Sequence, residues 1–265
     1  MTESSPRDGS SPGRVTMLHR ARRLANVFGI EVRRLHDPLS FASRRVALMR
    51  RLGIDLVIDV GANEGQYGSA LRRLGYPGRI ISFEPVGEAY AKLELRVAAD
   101  PSWECRRRAL GAEAGVAVMS VAANLYSSSF LPIDPSHVAA APDSATVRTE
   151  EVVVARLDVE MAGLDLARRR VLLKLDVQGF ERDVLAGAGQ TLPSVLALET
   201  ELSMRQLYSG QALWRDMVDL IETHGLGLHA VEEEFVDPRT GETLQLNGLF
   251  VRRTQHRDDA SHRSE

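Results

Sequence analysis

Cysteine is nearly absent from this chain of 265 residues. Cys105 is its single cysteine, which excludes a disulfide within the chain and favours a reducing, cytoplasmic compartment. No apolar run approaches the roughly eighteen residues of a membrane-spanning helix, so no transmembrane segment is predicted. The first residues are polar and lack the apolar core of a signal peptide, which favours the same location.

An excess of charge of either sign is also lacking. The formal net charge is −3, with 44% hydrophobic and 26% charged residues, as in ordinary soluble globular proteins. A nucleic-acid-binding protein is expected to show a basic excess, so no nucleic-acid partner is predicted. The length permits one large domain with a substantial core and short appended segments.

The stretch over residues 54–85 organises the chain. Its pattern predicts a buried parallel strand over 54–60, a glycine turn, a helix, and a second strand over Arg79–Phe83. Parallel sheets bind ligands beyond the carboxyl ends of their strands. The glycine turn and Glu84, which directly follows the second strand, are therefore expected to share one binding site.

This turn predicts a site for S-adenosylmethionine (SAM) more strongly than a site for a dinucleotide. Gly61 and Gly65 allow a ligand to approach the backbone, but Asn63 occupies the position of the second glycine that a pyrophosphate requires. Glu84 is expected to accept hydrogen bonds from both ribose hydroxyls of an adenosine. Asp59 and the turn amides suit the ammonium and carboxylate of SAM. The alternative is a structural turn in which Asp59 caps amides, which leaves Glu84 unexplained.

A second group of charged residues accompanies the strand predicted over 171–177. Lys174 and Asp176 interrupt this apolar strand, and buried charges are costly unless they are paired or used. Glu199 follows the next predicted strand, so Asp176 and Glu199 are expected at neighbouring strand tips. Asp176 with Glu199 or Glu201 is a candidate Mg²⁺ site that lowers the pKa of an acceptor hydroxyl. The alternatives are Asp176 as a general base without a metal, and a structural Lys174–Asp176 ion pair.

Residues 124–150 form the irregular part of the chain. Long irregular segments in compact domains are usually functional or mobile, so this segment is expected to cover the site. Ser128 and Ser129 within it are candidate acceptor contacts. His137 is either a general base or simply a solvated loop histidine.

These motifs resemble those of the FkbM family of SAM-dependent methyltransferases, which belong to class I. The resemblance rests on VIDVGANEGQYG, FEP, SSSF and KLDVQGFE, which occur in the family's order between residues 54 and 252. It implies an α/β, doubly wound, Rossmann-like fold with N-terminal helices. Its seven-stranded sheet would be mostly parallel, with one antiparallel strand near the C-terminus. The commoner form of the last motif has Glu at the place of Gln178, so this chain lacks one potential carboxylate ligand.

The resemblance also implies O-methyl transfer from SAM to a hydroxyl of a sugar, an oligosaccharide or a glycolipid precursor, with or without Mg²⁺. Transfer to a polyketide or another secondary metabolite is an alternative. So are a non-catalytic SAM-binding protein and an NAD-type oxidoreductase. The partner would be a small-molecule or saccharide acceptor, and a homodimer is allowed.

The candidate residues fall into four groups. The catalytic candidates are Asp176, His137 and Lys174. The cofactor-binding candidates are Asp59, Gly61, Asn63, Gly65, Tyr67, Glu84, Pro85 and Ala109. The acceptor-binding candidates are Ser128, Ser129, Glu181 and Glu201, and the metal ligands are Asp176 and Glu199.

The domain organisation follows from composition and from the extent of these motifs. A disordered tail is predicted over 1–16, a helical extension over 17–52, a SAM-dependent methyltransferase domain over 53–253 and a polar tail over 254–265. The extension is expected to contain two basic helices, over 17–28 and 39–51. They form either an acceptor lid or surface for anionic lipids, or packing helices with a solvated arginine face.

Overall fold

A computed structural model describes residues 40–253 of the protein. The predicted tails over 1–16 and 254–265 and the helix over 17–28 lie outside these described residues. The helices are α1 (Phe41–Leu52), α2 (Gln66–Arg73), α3 (Gly87–Val97), α4 (Pro135–Ala140), α5 (Leu157–Met161), α6 (Glu181–Ala186) and α7 (Trp214–Thr223). The strands are β1 (Leu56–Val60), β2 (Arg79–Phe83), β3 (Trp103–Arg106), β4 (Ala109–Leu110), β5 (Gly115–Ala122), β6 (Thr146–Ala155), β7 (Val171–Leu175), β8 (Val195–Ser203), β9 (Leu226–Val236) and β10 (Thr243–Arg252). None of the helices within 40–253 combines the length and apolar character needed to cross a membrane.

Seven of these strands form one sheet in the order β3-β2-β1-β7-β8-β10-β9. Neighbouring strands are parallel except around β10, which runs antiparallel to both β8 and β9. The expected doubly wound α/β sheet with one antiparallel strand near the C-terminus is confirmed. The chain order reverses between β1 and β7, and ligands bind beyond the strand ends at such a switch point.

Helices cover both faces of this sheet because its central strands are apolar on both sides. Every residue of β1 and of β7 is buried. On one face, α5, α6 and α7 pack in a cluster that includes Ile58, Leu173 and Phe250. On the opposite face, α1, α2 and α3 pack in a cluster that includes Val57 and Leu172. Alternate residues of each central strand therefore point into two different helical layers.

A second sheet has three strands in the order β4-β6-β5. Alternation from Trp103 to Ala109 predicts one strand, whereas the structure divides it. The strand β3 ends at Arg106 in the large sheet, and Ala109 pairs with β6 in the small one. The strand β6 begins at Thr146, inside the segment 124–150 that is predicted to be irregular, because β5 pairs antiparallel along its length. The irregular segment is correspondingly shorter than expected.

The helix α1 confirms the second predicted N-terminal helix and shows it packed on the sheet. Ser40 caps it, since its hydroxyl accepts a hydrogen bond from the Ser43 backbone N–H at 3.2 Å. Phe41 contributes to an apolar cluster with Leu249 of β10. Arg45 is buried on the same side, while the other three arginines of the helix are exposed. The packing interpretation is supported for this helix.

Candidate functional site

A cavity opens at the carboxyl edge of the large sheet, beside the switch point between β1 and β7. It encloses about 810 Å³, a volume that includes the open space at its mouth. Its apolar wall is formed by Val86, Leu110, Met119, Leu125, Phe130 and Phe180. Its polar wall includes Asn63, Glu84, Asp176, Gln178, Glu201 and Glu234. The apolar side chains of the lining suit an aromatic or aliphatic group, and its polar side chains suit hydroxyl or ammonium groups.

The cavity brings together half of the residues predicted from the sequence. Those that line it are Gly61, Asn63, Glu84, Pro85, Ala109, Ser128, Asp176 and Glu201. Those that do not line it are Asp59, Gly65, Tyr67, Ser129, His137, Lys174, Glu181 and Glu199. The second group lies beneath or beside the cavity.

Glu84 follows β2, and the backbone holds its carboxylate in place. Its Oε2 accepts a hydrogen bond from the Asn63 N–H and its Oε1 one from the Val86 N–H, each at 2.8 Å. Burial raises the pKa of Glu84 to about 7, although both N–H donors act in the opposite direction. Each oxygen keeps a lone pair, so the carboxylate remains able to accept two hydroxyl groups of a ligand.

The two glycines of the turn are required by packing, and Gly61 also lines the cavity. Gly61 has φ +76°, and a Cβ there would lie 1.8 Å from the backbone oxygen of Asp176. Gly65 has φ +87°, and a Cβ there would lie 3.2 Å from the ring of Trp103. Asn63 has φ +47°, a left-handed conformation that asparagine tolerates. The turn therefore keeps its shape without a second glycine at that position.

Asp59 is fully buried beneath the cavity and does not face it. Its Oδ2 accepts a hydrogen bond from the Ser82 hydroxyl at 3.0 Å, and its Oδ1 lies 3.3 Å from Lys174 Nζ. The Ser82 oxygen in turn accepts a hydrogen bond from the Trp103 indole. Residue 59 of β1 points into the layer of α1, α2 and α3, which corrects the prediction that Asp59 contacts the ammonium of SAM.

Polar contacts continue from Lys174 to the ends of β7 and β8. Lys174 Nζ lies 3.1 Å from Asp176 Oδ2. The side-chain amide of Gln178 donates to Asp176 Oδ1 and to Glu201 Oε2, each at 2.8 Å. Lys174 does not line the cavity itself, so its effect on a ligand passes through Asp176.

The charges of this group differ in their environment. Burial raises the pKa of Glu201 well above its ordinary value, and the neighbouring Asp176 carboxylate raises it further. Burial acts to lower the pKa of Lys174, but the carboxylates of Asp176 and Asp59 outweigh it and raise that pKa. Lys174 is therefore a permanent cation, and Glu201 holds its proton more strongly than an exposed glutamate does.

Glu199 does not lie beside Asp176, which corrects the predicted metal pair. In the sheet Glu199 is the register partner of Lys174, so Glu201 lies at the level of Asp176. Glu199 instead forms a buried ion pair with Arg45 of α1. Within residues 40–253 no three His, Cys, Asp or Glu side chains are placed to share a metal ion. Two carboxylates that are already bridged by an amide do not fit a Mg²⁺ site, since this cation favours a full shell of oxygen ligands.

Two further predicted residues are part of the packing around the site. His137 lies in α4, not in an irregular loop, and its ring packs edge-on against Tyr208 with centroids 5.3 Å apart. Burial lowers the pKa of His137, and its position outside the cavity removes it as a candidate base. Glu181 is buried and accepts hydrogen bonds from the N–H groups of Val177 and Gly179 at 3.2 and 3.1 Å. Its role is to hold the turn after β7, and it does not contact an acceptor directly.

Tyr67 and Ser129 also support the site from outside the cavity. The Tyr67 ring centroid lies 5.2 Å from Lys174 Nζ, and its hydroxyl donates to Glu199 Oε2 at 2.9 Å. The Ser129 hydroxyl donates to the backbone oxygen of Gln178 at 2.7 Å. These three contacts fix residues next to the cavity wall.

Several residues of the cavity wall have no role predicted from the sequence. Phe130 and Phe180 form a tilted pair with ring centroids 5.0 Å apart. They end the SSSF segment and lie within KLDVQGFE, so the motifs themselves contain the signal. Glu234 of β9 reaches the cavity mouth and accepts a hydrogen bond from Asn247 at 2.6 Å. No local signal identifies it, because its position depends on pairing with β10.

The chain is similar to known proteins in its family and in its fold. The methyltransferase FkbM domain matches residues 59–226. A segment of 55 residues is 42% identical to the 2-O-methyltransferase NoeI of Sinorhizobium fredii, and it covers 21% of this chain and 23% of NoeI. Among solved structures, a methyltransferase FkbM from Methylobacillus flagellatus has a similar fold, with a TM-score of 0.50 and 15% identity. That likeness covers 83% of this chain and 48% of the other, so the chain spans less than half the length of either protein.

Proposed function

Because the chain belongs to the family of proteins with a methyltransferase FkbM domain, we propose that it is a SAM-dependent O-methyltransferase in the cytoplasm. The proposed acceptor is a hydroxyl of a sugar, an oligosaccharide or a glycolipid precursor. The family supports methyl transfer, and the name of the relative NoeI, a 2-O-methyltransferase, supports a hydroxyl as the acceptor. The saccharide is proposed from the resemblance of the sequence motifs to the FkbM family, which implies transfer to sugars or other hydroxyls.

The relative placement of two carboxylates carries the proposal. Glu84 after β2 and Asp176 after β7 line the same cavity on either side of β1. Neighbouring strands lie about 4.8 Å apart, so these two positions are separated by about 10 Å. That separation suits a ligand whose ribose is held at Glu84 and whose reacting group lies close to Asp176.

Asp176 performs the proton transfer in this proposal. Bound SAM supplies an electrophilic methyl group, so the chain itself has to align the acceptor oxygen and remove its proton. An alcohol is a weak nucleophile, and a carboxylate within hydrogen-bond reach takes its proton as the new C–O bond forms. Lys174 and the Gln178 amide each bind one oxygen of Asp176, which orients the carboxylate towards the cavity.

Formation of S-adenosylhomocysteine (SAH) by the full-length chain tests the proposal directly. The protein would be incubated with SAM and a panel of mono- and oligosaccharides, each with Mg²⁺ and with EDTA. We expect SAH to form with at least one saccharide under both conditions. A second panel of polyketide hydroxyls tests the alternative acceptor class.

Two other outcomes would contradict parts of the proposal. Turnover of polyketide hydroxyls alone would remove the saccharide and keep the methyl transfer. Binding of SAM without turnover of either panel would favour a non-catalytic SAM-binding protein. Calorimetric titration with SAH separates that case from a protein that binds no SAM.

A further inference from the structure

The side-chain amide of Gln178 links the two carboxylates of the acceptor side of the cavity. It donates to Asp176 Oδ1 and to Glu201 Oε2, each at 2.8 Å. A primary amide has two N–H donors, so both are used. Its Oε1 accepts a hydrogen bond from the Tyr208 hydroxyl, also at 2.8 Å. Every polar atom of this side chain is engaged, and it connects two groups that would otherwise repel each other.

The surrounding backbone fixes Gln178 in this position. Its φ is +55°, a left-handed conformation that residues with a Cβ seldom adopt. The Ser129 hydroxyl donates to its backbone oxygen at 2.7 Å. The buried Glu181 binds the backbone N–H groups of the residues on either side of it. Such a conformation persists only where its surroundings determine it, and it is commonly found at functional sites.

The chemistry of the bridge depends on one atom. An NH₂ group between two carboxylates donates to both, whereas the oxygen of a glutamate at the same position would be a third acceptor. Three carboxylates at one point would form an oxygen-ligand set for a hard divalent cation. Within residues 40–253 this chain has no such three-residue cluster.

We propose that the Gln178 amide replaces a bridging cation between Asp176 and Glu201, so that methyl transfer by this chain requires no divalent metal. Gln178 is a positioning residue: it acts through the two carboxylates and not on the reacting atoms. The part of this inference that concerns turnover rests on the proposed function. The part that concerns metal binding does not.

Binding of Mn²⁺ to the full-length protein tests the inference without any acceptor. Isothermal titration would compare the natural chain with Gln178→Glu and with Gln190→Glu. The last variant adds the same charge at an exposed position that precedes β8, at the opposite edge of the sheet. We expect Gln178→Glu to bind Mn²⁺ at least about tenfold more tightly than the other two proteins. Asp176→Asn added to Gln178→Glu should abolish that gain.

Turnover provides the second measurement. SAH formation by the natural chain should be unaffected by EDTA. Turnover by Gln178→Glu should fall by about 10²-fold in EDTA, because the carboxylates are no longer held by a donor, and Mg²⁺ or Mn²⁺ should restore it. Gln178→Leu, which removes the bridge without adding charge, should lose turnover that no metal restores.

Two results would overturn the inference. One is removal of the natural chain's turnover by EDTA with recovery in Mg²⁺. The other is Mn²⁺ binding by the natural chain that is as tight as that of Gln178→Glu. If Gln178→Glu does not fold, as judged by circular dichroism, the inference is tested by the natural chain alone, through the effect of EDTA on its turnover and through its affinity for Mn²⁺. Absence of turnover by the natural chain with every acceptor would contradict the proposed function, while the Mn²⁺ titration would still decide this inference.

Discussion

Asp59, Lys174 and Asp176 form a polar network that reaches the cavity at Asp176. The two oxygens of Asp176 receive Lys174 and the Gln178 amide, and its side chain keeps 34% of its surface exposed. Asp59, by contrast, has the same lysine as a partner and no exposed surface. Of these two carboxylates, Asp176 alone is able to meet an acceptor.

Asp176→Asn should lower kcat by about 10²–10⁴-fold, the usual contribution of a general base. Binding of SAH should stay within about threefold of the natural value, because Glu84 and the turn remain intact. The measurements are SAH formation with a saccharide acceptor and calorimetric titration with SAH. Asp165→Asn, an exposed carboxylate 62% accessible at its side chain, is the control. Equal turnover by Asp176→Asn and Asp165→Asn would remove Asp176 as the base.

The pH dependence of SAM binding should report on Glu84. Burial raises the pKa of Glu84 to about 7, and the ionised form is the better acceptor for ribose hydroxyls. Binding therefore favours the deprotonated carboxylate, and affinity is lost as the pH falls through 7. Between pH 8 and pH 6 the affinity should fall by about tenfold, since one pKa unit corresponds to a tenfold change in protonation.

The variant Glu84→Gln separates this effect from other titrations. It should bind SAM about tenfold or more weakly at pH 8 and show no change between pH 6 and pH 8. Glu88→Gln, whose side chain is 54% exposed on α3, should behave like the natural chain. Calorimetric titration with SAH at three pH values provides the measurement. A pH dependence that survives in Glu84→Gln would assign it to another group.

At the level of secondary structure, the segments with a local signal were predictable. Apolar strands, helical spacing and the glycine turn lie within thirty-two consecutive residues, 54–85, and β2 has the predicted bounds Arg79–Phe83. Glu84 reaches the cavity because it directly follows that strand. In this part of the site, the local sequence pattern was sufficient to predict where Glu84 lies.

The choice between Glu199 and Glu201 was not predictable in the same way. Both residues lie on the same face of β8, so alternation does not distinguish them. What decides is the register with β7, which pairs Lys174 with Glu199 and brings Glu201 to the level of Asp176. The strand β8 continues to Ser203 because β10 pairs along its other side. Register and strand length are tertiary properties and leave no local signal.

The helix α1 precedes the family match at residues 59–226 and still contacts the residues beneath the site. Arg45 pairs with Glu199, and its guanidinium lies 4.6 Å from the Tyr67 ring centroid. Tyr67 in turn lies against Lys174. The predicted domain start at residue 53 would leave α1 outside the domain. Because Arg45 of α1 contacts Glu199 and Tyr67, we expect the stability of the domain to depend on this helix.

Arg45→Met should destabilise the protein by about 3–5 kcal/mol, because it leaves Glu199 as a buried charge without its cation. The melting temperature should fall by about 6–20 °C for a domain of this size. Arg51→Met, an exposed arginine of the same helix, should change stability by less than about 0.5 kcal/mol. Thermal and urea denaturation provide the measurement. Adding Glu199→Gln to Arg45→Met should recover part of the loss, and no recovery would contradict the ion-pair explanation.

At the scale of the whole molecule, acidic side chains are distributed along the carboxyl edge of the large sheet that borders the cavity. From β2 to β9 the sheet passes through five strand spacings of about 4.8 Å, or about 24 Å in total. The cavity includes Glu84 near the first of these strands, Asp176 and Glu201 in the middle, and Glu234 on the last. A long anionic ligand that extends along this edge would meet the carboxylate of Asp176, while Arg108 is a cation that lines the same cavity. A cationic sulfonium or a neutral polyol would not be repelled by that carboxylate.

This distribution of charge separates SAM from a nicotinamide dinucleotide in one experiment. Asn63 occupies the place of the glycine that a pyrophosphate requires, and the Asp176 carboxylate lines the same cavity, so we expect SAM and not NAD⁺ to bind. SAH at a hundred times its Kd should stabilise the protein by about 2.7 kcal/mol. That stabilisation should raise the melting temperature by about 5–10 °C. NAD⁺ at the same concentration should leave it unchanged, and so should ATP, which controls for adenine alone. A shift with NAD⁺ as large as that with SAH would contradict the SAM site and return the oxidoreductase to consideration.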